Sequence, residues 1–268
     1  MLRYTIGSDP ELFIVNVKTK KVVSAIDKIP GSKESPFTQG LPKGFGLQTD
    51  NVLAEFNIPP ATNVDEFIHN IEFMKEFIRK TVKDIDEDLD IMCKASSKVP
   101  LKELKHPQAK EAGCDPDYCV YTGNQNEPGK LGRSTLRSGG CHFHVGYPSH
   151  NIDTSLAMLR YIDAFVGIPS IIYDTDSERR KLYGKAGCFR LQPWGFEYRT
   201  LSSFWIANQS RMRFIWNQLI YALYNYERDS IIPDGQLVQN IINNNDVETA
   251  KLVIDKFNLI CPNNVQPE

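Results

Sequence analysis

The chain has no CxxC pair and none of the dense cysteine spacing of a small secreted domain; its six cysteines, Cys93, Cys114, Cys119, Cys141, Cys188 and Cys261, are scattered over 268 residues. That excludes a disulfide scaffold and leaves reduced thiols as the expectation. Cys114 and Cys119 in CDPDYC have no second pair to complete a zinc site. Nor is there a basic excess: the formal net charge is -2. A global field for nucleic acid is therefore absent, and any phosphate binding must be local; a modified base is the one nucleic-acid substrate left open. No apolar run approaches the roughly eighteen residues that cross a bilayer, and Met1-Leu2-Arg3-Tyr4 enters structured sequence without a signal-peptide pattern. A cytoplasmic location without membrane partners is expected. Internal repeats and low-complexity tracts are lacking as well.

What is present is an ordinary globular composition, 41% hydrophobic and 24% charged, long enough for a large core. The stretch Cys188 to Trp205 reads as two strands turning through Gln192-Pro193-Trp194-Gly195. The two-residue period of a strand puts Cys188, Arg190, Glu197 and Arg199 on one face, and Phe189, Leu191, Phe196 and Tyr198 on the other. Guanidinium groups beside a carboxylate suit a site that holds an anion and a cation together. A surface hairpin with an exposed ion pair is the plain alternative.

Further strands carry polar faces too. From Tyr4 to Ala25 a strand, a turn at Lys18 to Lys21 and a returning strand place Asp9 and Glu11 on one side. Residues 28 to 46 are rich in Gly and Pro and read as a long loop. In DNVLAEFNIPP, Val52, Ala54, Phe56 and Ile58 take the core side, and Asn51, Glu55 and Asn57 the other, with Leu53 the exception. A helix follows, capped by Thr62 or Asn63, with Phe67, Ile71, Met74, Phe77, Ile78, Val82 and Ile85 at helical spacing and His69 on its surface. Leu89 to Lys94 suggests a strand, and the glycine-rich region to about residue 134 gives no clear element. Then Gly139-Gly140 leads a strand on which His142 and His144 share a face, opposite Cys141, Phe143 and Val145. Two imidazoles at i and i+2 can reach one ion or phosphate. Helices are expected at about 154 to 173 with Asp153 as cap, at 207 to 228, and at about 235 to 243 and 246 to 257. Between the first two, DSERRKLYGK brings Arg179 and Arg180 toward the hairpin.

If the four polar faces belong to one antiparallel sheet, four carboxylates crowd together, and cations are the natural remedy for their repulsion. Oxygen-dominated ligation with imidazole suits magnesium or manganese, and arginines beside such ions suit transferring phosphoryl groups. These residues resemble the carboxylate-amine ligase superfamily that includes glutamine synthetase and glutamate-cysteine ligase, in particular its phage COOH-NH2 ligase (type 2) branch. Gly7-Ser8-Asp9-Pro10-Glu11-Leu12-Phe13, Ala54-Glu55-Phe56-Asn57 with Pro59, Gly140-Cys141-His142-Phe143-His144, and Phe189-Arg190 with Phe196-Glu197-Tyr198-Arg199 carry the resemblance, in the family's order. An upstream Glu of the second strand is replaced by the nearby Asp50, and an Asn-Gly that contacts substrate by the region of Arg137-Ser138.

The resemblance implies an α+β fold, a curved antiparallel sheet of the half-barrel type with helices on its outer face, as a single catalytic domain over 1–268. Its site elements fall within 5–205, before a helical region at 206–268. It implies an ATP-dependent ligase that joins a small-molecule or peptide carboxylate to an amine through an acyl phosphate, with magnesium or manganese as metal. Asp9, Glu11, Glu55, His142 and Glu197 would ligate metal. Arg190, Arg199 and Glu55 would act in catalysis, and Arg137, His144, Asn57, Arg179 and Arg180 would hold substrate or ATP. Two other readings stay open: a catalytically inactive nucleotide- or metal-binding regulator, and a hydrolase with zinc on His142 and His144.

Overall fold

The computed structural model describes residues 4–110, 116–127 and 134–262. The chain opens with the long strand β1 (Thr5–Asn16), which turns back through β2 (Lys21–Val23). Then come β3 (Gly46–Asp50), β4 (Leu53–Ala61), helix α1 (Val64–Lys83), β5 (Leu89–Met92) and β6 (Ser96–Lys98). Two 3-10 turns lead to β7 (Tyr118–Cys119), β8 (Leu136–Ser138) and β9 (Cys141–Gly146). A helical run follows as α2 (Ile152–Ile162), a π-helical turn Asp163–Gly167 and α3 (Ile168–Tyr173). The hairpin β10 (Cys188–Gln192) and β11 (Gly195–Tyr198) precedes α4 (Gln209–Tyr226), α5 (Gly235–Asn244) and α6 (Val247–Phe257).

Nine strands form one sheet in the order β3-β4-β1-β9-β11-β10-β7, with β2 and β5 also paired to β1. Every pairing in it is antiparallel. The fold is thus α+β: an antiparallel sheet with helices on one face. Alternation along the strands explains the arrangement. Ile6, Phe143, Val145, Phe196 and Tyr198 are all fully or nearly fully buried, on the side that meets the helices. Phe67 of α1 stacks at 5.7 Å on Phe143 of β9 and lies 5.3 Å from Trp216 of α4, so both helices close over the centre of the sheet.

Several local expectations change. Asn51 lies in a two-residue turn between β3 and β4, with φ +52, rather than on the strand face of Glu55. Strand β3 escaped the pattern because its Gln48, Thr49 and Asp50 look like turn chemistry. Leu53 breaks the polar face because that end of the sheet is covered: it packs with Phe13, Val22, Val52 and Leu104 in a small second core. Asn63 caps α1 by accepting from the Glu66 N–H, and Ile85 lies exposed beyond the helix end. Asn151, not Asp153, caps α2. The helical run Ile152–Tyr173 is by length and composition apolar enough to span a bilayer, contrary to expectation, but 78% of that window is buried within the fold. It is a core helix here.

Candidate active site

Strand registers decide which polar residues meet. Asp9 of β1 lies opposite His142 of β9, Glu11 opposite Glu55 of β4, and His144 opposite Glu197 of β11. One sheet face therefore gathers residues from four strands. Asp9 Oδ1 is 2.9 Å from His142 Nδ1 and 3.3 Å from His144 Nε2. Ligand atoms of Asp9, His144 and Glu197 all fall within 4.8 Å of one another. Asp9 Oδ1 and His144 Nε2 are buried without a hydrogen bond of proper geometry, a condition that suits metal-ligand atoms. The donor set fits magnesium or manganese.

Around this centre the polar atoms are tightly committed. Arg199 Nη1 donates to Glu197 Oε2 at 3.0 Å and lies 3.2 Å from His142 Nδ1, while Nε is 3.4 Å from Asp117 Oδ2. Arg190 Nη1 is 3.2 Å from the same Glu197 oxygen, and Gln192 Nε2 donates to Glu197 Oε1. Glu11 accepts from the Gly140 N–H at 2.7 Å, and Glu55 from Gln48 Nε2 at 2.8 Å. A Cβ at Gly140 would stand 2.7 Å from His142 Nε2, so a side chain there would push that imidazole out of place. At Gly184, with φ +73, a Cβ would stand 1.5 Å from Arg179 Nη1.

Protonation follows from burial and neighbours. Burial, then the charge of Asp50, pushes the Glu11 carboxyl up to about 7. Glu55 is driven well above the usual carboxylate range by burial and by Asp9, Asp50 and Glu11. Burial would also raise Asp9, but the charges of the close-lying His142 and His144 outweigh it and hold Asp9 well below its ordinary value. His142 is lowered by burial and then by Arg199; His144 is raised because Asp9 and Glu197 outweigh burial. Without cations, part of this acidic cluster resists ionising.

Two openings flank the cluster. One, about 40 Å³, is lined by residues including Glu11, Asp50, Asp117, Arg137, His142, Arg179, Tyr183 and Arg199. The other, about 390 Å³, is an apolar groove between Ile58, Pro60, His144 and Trp194. Trp194, 40% exposed at the hairpin turn, has its ring centre 5.4 Å from that of His144. Of the arginines expected to hold substrate, Arg179 lines the first opening, buried, with Nη1 donating to Thr200 O at 2.7 Å. Arg137 lines it too, but its guanidinium is engaged by Asn51 Oδ1 and the carbonyls of Ala109, Ser134 and Leu136. Arg180 turns away to Asn245 Oδ1 and the surroundings of Asp174. Asn57 shares the strand face of Glu55 yet is exposed. Asp117, Gln48, Gln192 and Trp194 are site residues that pattern reading missed: each lies in a turn, a short strand or a glycine-rich stretch where periodicity is silent. Cys114 lies outside the described residues; Cys119 is a free, buried thiol.

One sheet face thus pools carboxylates, imidazoles and guanidiniums, and within it Asp9, His144 and Glu197 are spaced so that they could hold a metal ion. Residues 133–246 match the family described as "Phage phiEco32-like COOH.NH2 ligase-type 2", a family of carboxylate-amine ligases, and this stretch bears out the resemblance read from the sequence. In fold, the chain is similar to a bifunctional glutathione synthetase from Pasteurella multocida, at TM-score 0.52 and 11% identity over 92% of this chain and 41% of that one. Similarity also extends to a GmaS/ADP complex (TM-score 0.49, 10% identity, 97% of this chain and 65% of that chain). A third similar structure is the complex of the prokaryotic ubiquitin-like protein Pup and its ligase PafA (TM-score 0.39, 10% identity, 90% and 51%). The chain thus spans less than two thirds of each of these longer proteins. No curated protein matches it.

Proposed function

We propose that this protein is an ATP-dependent carboxylate-amine ligase, acting in the cytoplasm, that forms an amide bond through an acyl phosphate. The observation that carries the reading is the meeting of Asp9, Glu11, Glu55, His142, His144, Glu197 and Arg199 on one sheet face. A family match to carboxylate-amine ligases over 133–246 supports it.

Asp9, His144 and Glu197 would hold magnesium or manganese, with Glu11, Glu55 and His142 adjoining, and the ion would supply positive charge to the nucleotide's phosphates. Arg199 and Arg190 add guanidinium charge where negative charge builds as the phosphoryl group moves. The apolar groove under Trp194 accepts the nucleotide base by stacking, as a flat ring on an aromatic surface. On the other side, the narrow opening edged by Arg179 and Asp117 is where the acid and the amine approach the cluster. The carboxylate oxygen attacks the γ-phosphorus and ADP leaves; the amine nitrogen then attacks the acyl carbon and phosphate leaves.

Phosphate release from ATP and magnesium, with pools of carboxylic acids, amino acids and polyamines, tests the reading. We expect release that depends on an acid and an amine together, and its loss in Glu197→Ala with the circular dichroism spectrum unchanged. Full turnover by that variant would overturn the assignment.

A further inference from the structure

Strand β7 is two residues long and sits at the edge of the sheet, with Cys119 directly opposite Cys188 of β10. The neighbouring pair shares a backbone hydrogen bond, Val120 N–H to Gly187 O at 2.9 Å, whereas the Cys188 carbonyl is taken from the other side by the Arg199 N–H. Hydrogen-bonded and non-hydrogen-bonded pairs alternate along an antiparallel ladder, so Cys119 and Cys188 form a pair of the second kind. In such pairs the Cα atoms approach to about 4.5 Å and the side chains stand closest. Disulfides span Cα separations of about 4.4–6.8 Å.

Both thiols are free and buried, and Cys119 is among the groups near enough to act electrostatically on Cys188. Their surroundings tie them to the site. Asn126 Nδ2 lies 3.4 Å from Cys188 Sγ and donates to Asp117 Oδ1 at 2.9 Å, and Asp117 is the carboxylate that meets Arg199.

We propose that Cys119 and Cys188 are a redox-labile pair whose cross-strand disulfide fastens the edge segment bearing Asp117 to the hairpin bearing Arg190 and Glu197. A two-residue edge strand frays more readily than the inner hairpin, so Cys119 is the attacking thiolate. It attacks one sulfur of a disulfide oxidant such as oxidised glutathione and releases one glutathione thiolate. Cys188, its proton passed to that thiolate, then attacks the Cys119 sulfur and expels the second glutathione. Two cysteine thiols are oxidised and one glutathione disulfide is reduced to two thiols. In a reducing compartment the pair rests as dithiol.

Exposure of the folded full-length chain to excess oxidised glutathione, alkylation in denaturant and mass mapping without reductant test this. We expect a peptide linked through Cys119 and Cys188 and a fall from six alkylated thiols to four, reversed by dithiothreitol. Cys119→Ala and Cys188→Ala should each abolish the link; if the second variant misfolds, the first decides. Six alkylated thiols after oxidation, or a link joining Cys119 to Cys114 or to any other cysteine, would overturn the proposal.

Discussion

The two faces of the central strands β1, β9 and β11 share one backbone and do opposite things. Behind, Phe143, Val145, Phe196 and Tyr198 are buried on the side of α1 and α2, with α4 packed against those helices, and remove apolar surface from water. In front, Asp9, Glu11, His142, Glu197 and Arg199 are almost as deeply buried, yet they are charged or must resist charge. One face supplies stability, and the other gathers acids, imidazoles and guanidiniums at its expense. The period of two makes this division possible: each front residue is flanked in sequence by a back one.

Substitutions on the two faces should therefore separate activity from stability. The largest effect expected is on the front, where removing the Glu197 carboxylate should lower metal-dependent ATP turnover by about 10²–10³-fold or more while leaving the fold intact. Behind it, Phe143→Ala should cost about 3–5 kcal/mol in urea unfolding, because a fully buried ring is removed from beneath Phe67. Equal loss of stability from both would break the comparison.

The pH dependence should divide the same way. Burial raises Glu11 from 4.5 to about 7 in the fold, Glu55 is raised well above its ordinary value by burial and its acidic neighbours, and behind the sheet burial lifts Asp163 from 3.8 to about 7. For these acids the native state holds its protons more tightly than the unfolded chain, so stability falls as pH rises from about 4 to 7. Asp9 runs the other way: its contribution is present above its unfolded value and is lost on acidification. Thermal melts across that range should show a slope that manganese or magnesium flattens. Asp163→Asn should remove a share of the slope that metal does not touch, since its carboxylate faces Tyr198 Oη at 2.6 Å rather than the ion cluster. The smallest effect is expected far from both faces. Arg213→Ala, which breaks an exposed pair with Asp65, should change stability by under about 1 kcal/mol.

The parts of this fold legible in the sequence were those written in local alternation. Asp9 with Glu11, His142 with His144, and Arg190, Glu197 and Arg199 declared their faces because each sits in a strand with clean apolar neighbours. Register between distant strands is not written locally, so the nearness of His144 to both Asp9 and Glu197 became visible only in three dimensions. Asp117 hid in a stretch without periodicity. Asp163 hid for the opposite reason, within a helix so apolar that one carboxylate looked incidental, although it lies at the π-helical turn and accepts from Tyr198.

Strand β1 takes hydrogen-bonded partners from β2, β4, β5 and β9, and the Glu11 carboxylate meets a backbone amide 129 residues further along. Glu11 and Glu55 can meet early, on β1 and β4, but the imidazoles of β9 join them only once just over half of this sequence has emerged, and closure of those long loops should make folding slow. A fragment cut anywhere between β1 and β9 would separate Asp9 from its imidazoles. The full cluster of the front face cannot be assembled piecemeal.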